Sequence, residues 1–105
     1  MIVVVGRVRT DADKRDALVR IGQAVAKASR TEPGCLSYRV YEDTEIENDF
    51  VFVEEWESDE SLQQHFATPH VRDFMRTISE TIVAPPDVKF HTIASSTDLA
   101  DVSGG

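Results

Sequence analysis

The sequence predicts an α+β fold of the ferredoxin-like, split βαβ kind: four antiparallel strands in one sheet, with the helices on one face. Three observations lead there. Apolar residues alternate in strand fashion at 2–8, 35–41, 49–57 and 88–94, and they recur at helical steps of three and four over 12–30 and 58–84. The two kinds of segment follow one another as β, α, β, β, α, β.

The first strand, residues 2–8, is apolar on both faces, with Ile2, Val4, Gly6 and Val8 on one and Val3 and Val5 on the other. Thr10 or Asp11 caps a first helix over 12–30, whose stripe is Leu18, Ile21, Val25 and Ala28 and whose Gly22 permits close approach. Glu32-Pro33-Gly34 stops it, and a second strand begins at Cys35 with Leu36, Tyr38 and Val40 on one side. A polar turn over 42–48 leads into a third strand, 49–57, so the pair forms a hairpin. That strand places Phe50, Phe52, Glu54 and Trp56 on one face and Val51, Val53, Glu55 and Glu57 on the other. Ser58 caps a short helix carrying Leu62, His65 and Phe66. Thr68-Pro69 interrupts it and restarts a longer one with Val71, Phe74, Met75, Ile78 and Ile82, which Pro85-Pro86 ends. The fourth strand runs over 88–94. Residues 1–94 thus make one domain, and 95–105 form a polar tail.

Composition narrows the function. With 105 residues, 41% of them hydrophobic and 29% charged, the chain suits a single globular domain. Eleven basic against 19 acidic residues give a net charge of −8, which repels a phosphate backbone, so no nucleic-acid partner is expected. The single Cys35 has no disulfide partner, and no signal segment or membrane-length apolar run occurs, so a cytoplasmic location is expected, with no membrane. The sequence has no Gly-rich phosphate loop, nucleophile elbow, HExxH or EF-hand loop, so no cofactor is expected. Ten of the 19 acids lie between Glu42 and Glu60 and read as a solvated hairpin rather than a metal site. No metal is expected at the histidines either, because Pro69 breaks the helix between His65 and His70. His91 reads as a surface or interface residue.

The helices can cover only one sheet face, while strands one and three are apolar on both. The uncovered face exceeds what a monomer leaves in water, so a homodimer packed sheet to sheet is expected.

Two residues on the covered face stand out. His65 shares a stripe with Leu62 and Phe66 and points inward, as either a base or a buried strut bonded to a carbonyl. Glu54 stands among Phe50, Phe52 and Trp56, where burial raises a carboxyl pKa and calls for a partner: His65, Tyr38, or water at the strand end. Cys35 has no nearby base in sequence and reads as packing.

The runs EPGCLSYRVYED and FVFVEEWESDESLQQHFATPHVRDF resemble the antibiotic biosynthesis monooxygenase family of dimeric α+β barrels, including its quinol monooxygenases. The resemblance rests on Pro33-Gly34, Glu54-x-Trp56 and the stretch from His65 to His70. It implies a cofactor-free oxidation of a small aromatic, a quinol or phenol, by O₂, with His65 as base and Glu54 as its partner. Trp56, Phe52, Tyr38, Phe66 and Phe74 would then contact substrate. The haem-degrading branch is disfavoured because the first strand carries Gly6 and no Asn. The dione-isomerase branch is weakened because no histidine lies on helix one. A non-catalytic ligand-binding dimer and a redox-neutral isomerase stay as alternatives.

Overall fold

The structure is a computed structural model and describes residues 1–102. Strands β1 (Ile2–Arg9), β2 (Cys35–Glu42), β3 (Asp49–Trp56) and β4 (Asp87–Thr92) form one antiparallel sheet in the order β2-β3-β1-β4. Helices α1 (Arg15–Ser29), α2 (Asp59–Phe66) and α3 (Pro69–Ile78) follow in sequence, with a four-residue α4 (Leu99–Val102) at the end. The order β-α-β-β-α-β and the antiparallel sheet are those expected for a ferredoxin-like α+β fold.

The helix-covered face carries Val4 and Val8 of β1, Tyr38 of β2, and Phe50, Phe52, Glu54 and Trp56 of β3, all buried. Leu18, Val25 and Ala26 from α1, Leu62 from α2 and Ile78 from α3 close the core over them. Here the expected period of two in β3 is met residue by residue, since the alternate positions Val51, Val53 and Glu55 are only half-buried. With Val3 and Val5 of β1, which pair with Glu55 and Val53, they form the opposite face, where no helix packs among the described residues.

Several boundaries differ from expectation. The first helix begins at Arg15 after a 3-10 turn, Ala12–Lys14, and Asp11 makes no side-chain cap. Leu36 is exposed rather than sharing a face with Tyr38, because the register shifts between Cys35 and Ser37 and this bulge turns Leu36 outward. Helix α3 stops at Ile78, so Ile82 leaves the helical stripe and joins an isolated bridge with Thr10. The Thr10 hydroxyl donates to the Thr81 carbonyl at 2.6 Å and fixes that corner. Strand β4 ends at Thr92, short of residue 94. Of the expected tail, 99–102 is helical and 103–105 lie outside the described residues.

Two loops set the position of α2. Gly34 adopts φ +86°, a conformation glycine reaches without strain, and its carbonyl accepts from the Glu57 amide at 2.8 Å. Ser58 then caps α2: its hydroxyl accepts from the Ser61 amide at 3.1 Å, and Ser61 Oγ accepts from the Ser58 amide at 3.1 Å.

Candidate active site

Between the sheet and helices α2 and α3 lies a cavity of about 350 Å³. Val4, Gly6, Val8 and Phe52 form its floor, Phe66, Val71, Phe74 and Ile78 its helical wall, and Val88 and Phe90 of β4 its outer rim. Its only ionisable lining groups are Tyr38, Glu54 and His65. An apolar chamber with a few convergent polar groups is the usual form of a small-molecule site.

Both sequence candidates for acid–base work face this chamber, but they do not hydrogen-bond one another. His65, with its side chain 3% exposed, directs Nδ1 to Glu32 Oε2 at 2.8 Å. Its Nε2 lies 3.8 Å from Glu54 Oε1, too far for a direct hydrogen bond. Glu54 instead accepts from the Trp56 indole N–H at 2.9 Å. Trp56 is fully buried and stands behind the wall rather than on it, its ring 4.4 Å from the His65 ring between centroids. Tyr38, Phe52, Phe66 and Phe74 all line the cavity, and the Tyr38 ring lies 5.8 Å from that of His65.

Burial dominates the electrostatics. It pushes the Glu54 carboxyl up to about 7, against the pull of the Trp56 N–H and the neighbouring Tyr38 hydroxyl, with the Glu32 charge adding to the rise. It lowers His65, and the Glu32 carboxylate beside it works the other way. The Tyr38 phenol is raised, first by burial and then by the Glu54 charge. Cys35 is pushed up to about 11 by burial and by Glu32 and Glu54, which leaves its thiol protonated and suits packing rather than nucleophilic attack.

The residue that sequence reasoning missed is Glu32. Placed only as a helix stop, it sits in the turn after α1, where its amide donates to the Ser29 carbonyl and its carbonyl accepts from the Cys35 amide. There it reaches His65 and also His70, whose Nε2 is 2.7 Å from the same Oε2. The expectation that the Pro69 break keeps the two histidines apart is therefore corrected. Thr68 turns the chain sharply, its amide and hydroxyl both donating to the His65 carbonyl, and α3 restarts with His70 back under His65. A Glu-Pro-Gly turn ahead of a strand that pairs beside Glu54 was the available signal.

The antibiotic biosynthesis monooxygenase family model matches residues 1–77. The chain belongs to that family. Members of the antibiotic biosynthesis monooxygenase family and related folds supply the similar proteins. "Uncharacterized protein sll1783" of Synechocystis is 35% identical over 98 residues, 93% of this chain and 67% of the relative. "Putative monooxygenase YcnE" of Bacillus subtilis is 31% identical over 88 residues, 84% of this chain and 93% of the relative. The solved structure of Rv0793 from Mycobacterium tuberculosis superposes with a TM-score of 0.86 at 26% identity, covering 92% of this chain and 98% of that one. In this antibiotic biosynthesis monooxygenase family chain, the Pro33-Gly34 turn holds α2 and Glu54-x-Trp56 supplies a carboxyl with its N–H donor, which gives both motifs a structural role.

Proposed function

We propose that the protein is a cofactor-independent monooxygenase that oxidises a quinol or related hydroxylated aromatic with O₂. The observation that carries this reading is the apolar cavity of about 350 Å³ with Tyr38, Glu54 and His65 as its only ionisable groups. Family membership and the name of the Bacillus relative support a monooxygenase-like role.

His65 is the base. Glu32 accepts the Nδ1 proton, which fixes the tautomer and leaves the Nε2 lone pair toward the cavity. The 3.8 Å between Nε2 and Glu54 Oε1 leaves a place for a phenolic hydroxyl beside both. His65 takes that proton, and the phenolate gives an electron to O₂. The two radicals join as a ring-carbon peroxide, which protonated His65 converts to the hydroperoxide. Neutral His65 then takes the proton on that carbon; the O–O bond breaks, leaving a carbonyl and releasing the second oxygen as water. The substrate thus supplies both electrons needed beyond those of the new carbonyl. Glu54, held up near 7 by burial, passes protons to the departing oxygen. Phe52, Phe66 and Phe74 hold the ring and keep water out, and Trp56 acts through Glu54.

The uncovered face, with Val3, Val5, Val51 and Val53 half-buried and Tyr41 exposed, supports a homodimer packed sheet on sheet. An unpaired Cys35 suits a reducing cytoplasm. Among the described residues no helix is long and apolar enough to cross a membrane.

The test is O₂ uptake by chelator-treated protein over a panel of quinols, naphthols and polycyclic phenols, with ¹⁸O₂ to trace the new carbonyl. Enzyme-dependent uptake with one labelled oxygen in the quinone is the expected result. Saturable binding of the same compounds with no uptake would replace this reading with a ligand-binding dimer.

A further inference from the structure

We infer that Glu32, His65 and His70 form a binding site for one divalent transition metal of the zinc class, separate from the substrate cavity. Three donor atoms meet there: His65 Nδ1 at 2.8 Å and His70 Nε2 at 2.7 Å from Glu32 Oε2, all within 4.8 Å of one another. Metal–ligand bonds of about 2.0–2.1 Å in a tetrahedron need donors roughly 3.4 Å apart, so each contact opens by only about 0.6 Å to admit an ion.

The donor set selects the ion. Two imidazoles and one carboxylate suit Zn²⁺ and its neighbours Co²⁺ and Ni²⁺, whereas Ca²⁺ and Mg²⁺ require oxygen cages. The surroundings fit as well. Ligating imidazoles ordinarily offer their second nitrogen to a carboxylate; His65 Nε2 lies 3.8 Å from Glu54 Oε1, a gap that a small shift or one bridging water closes. His65 is buried and Glu32 half-buried, while the His70 side chain is 28% exposed and borders a surface groove with Ile21 and Asp73, which gives an ion a way in and a solvent ligand for the fourth position. Glu32 and His70 do not line the substrate cavity; His65 alone touches both sites, by its two nitrogens.

That shared ring has a consequence, which rests on the functional reading above. With a metal on Nδ1, the neutral imidazole carries its proton on Nε2 and presents a donor to the cavity. His65 then accepts no substrate proton, so filling the site inhibits the oxygenase.

The experiment uses untagged full-length protein stripped with a chelator. Calorimetric titration with Zn²⁺ and absorbance titration with Co²⁺ are expected to give one ion per chain, visible bands of a low-coordinate cobalt centre, and a raised Tm. His70→Gln, at a partly exposed position, and Glu32→Gln should each weaken binding by at least about 100-fold, more than the 10- to 100-fold typical of outer-shell losses. His91→Gln, on β4, should bind like the wild type. No binding by the wild type at 100-fold excess metal, or binding unchanged in both Gln variants, overturns the site. Loss of binding in His91→Gln overturns it too, by moving the metal elsewhere. These readouts stand whether or not any quinol is turned over; inhibition of O₂ uptake by Zn²⁺ tests only the coupling.

Discussion

Gly34→Ala should cripple the fold, and its cost can be worked from the turn it occupies. At φ +86° an L side chain costs about 1–2 kcal/mol. The added Cβ would also lie 2.4 Å from Ser61 Cβ and 2.8 Å from Ser61 Oγ. Relieving that overlap costs about 1–3 kcal/mol. It also drives Ser61 out of the capping box with Ser58, worth about 1 kcal/mol more. The expected loss is roughly 3–6 kcal/mol, a large part of a small domain's stability and a fall in Tm of at least about 12 °C. Gly22→Ala is the control: its Cβ would meet Val40 and Phe52 at 3.4–3.6 Å, ordinary contact, and a helix gains about 0.5–1 kcal/mol from the exchange. Urea unfolding of both variants at one protomer concentration measures the difference. A Gly34→Ala protein within about 0.5 kcal/mol of the wild type would refute the role given to this turn in seating α2 and His65.

Three further outcomes follow from the same geometry. Trp56→Phe removes the indole N–H that donates to Glu54 at 2.9 Å; it should cost about 1.5–3 kcal/mol in urea unfolding and raise Glu54 further above 7 in an NMR titration. Because the folded Glu54 carboxyl is raised from 4.5 to about 7, its contribution to stability is full below pH 4.5 and is lost as pH climbs toward 7, at most about 3 kcal/mol. Glu54→Gln in metal-free protein should abolish that part of the decline, and an unchanged pH profile would refute it. Val5 and Val53 face one another across β1 and β3 on the uncovered side, so Val5→Asp with Val53→Asp should turn a sedimenting dimer into a monomer; a wild type that is monomeric at micromolar concentration would refute the interface.

The element order was legible because it rests on local periodicity. Strand β3 shows this best: from Phe50 to Trp56 buried and half-buried positions alternate as its side chains do. Glu54 and His65 could be placed on the covered face for the same reason. Their partners could not. Glu32 meets His65 and His70 across 33 and 38 residues of sequence, and a turn residue has no period from which its direction can be read. Trp56 was expected on the substrate wall from the family resemblance, while its indole turns toward Glu54, a rotamer choice that spacing does not encode. Leu36 was misplaced by a one-residue bulge, which turns it outward while Tyr38 beyond the bulge keeps the covered face.

The central claim is that His65 removes the substrate proton, and one paired measurement tests it most directly: turnover and unfolding of His65→Ala, both in chelator-treated protein with a quinol that supports O₂ uptake. A positioned base typically contributes 10²- to 10⁴-fold, so turnover per folded molecule should fall by about that factor while the protein stays folded. A Tm lowered by the loss of the Glu32 contact, with turnover per folded molecule unchanged, would contradict the account and make His65 a buried strut.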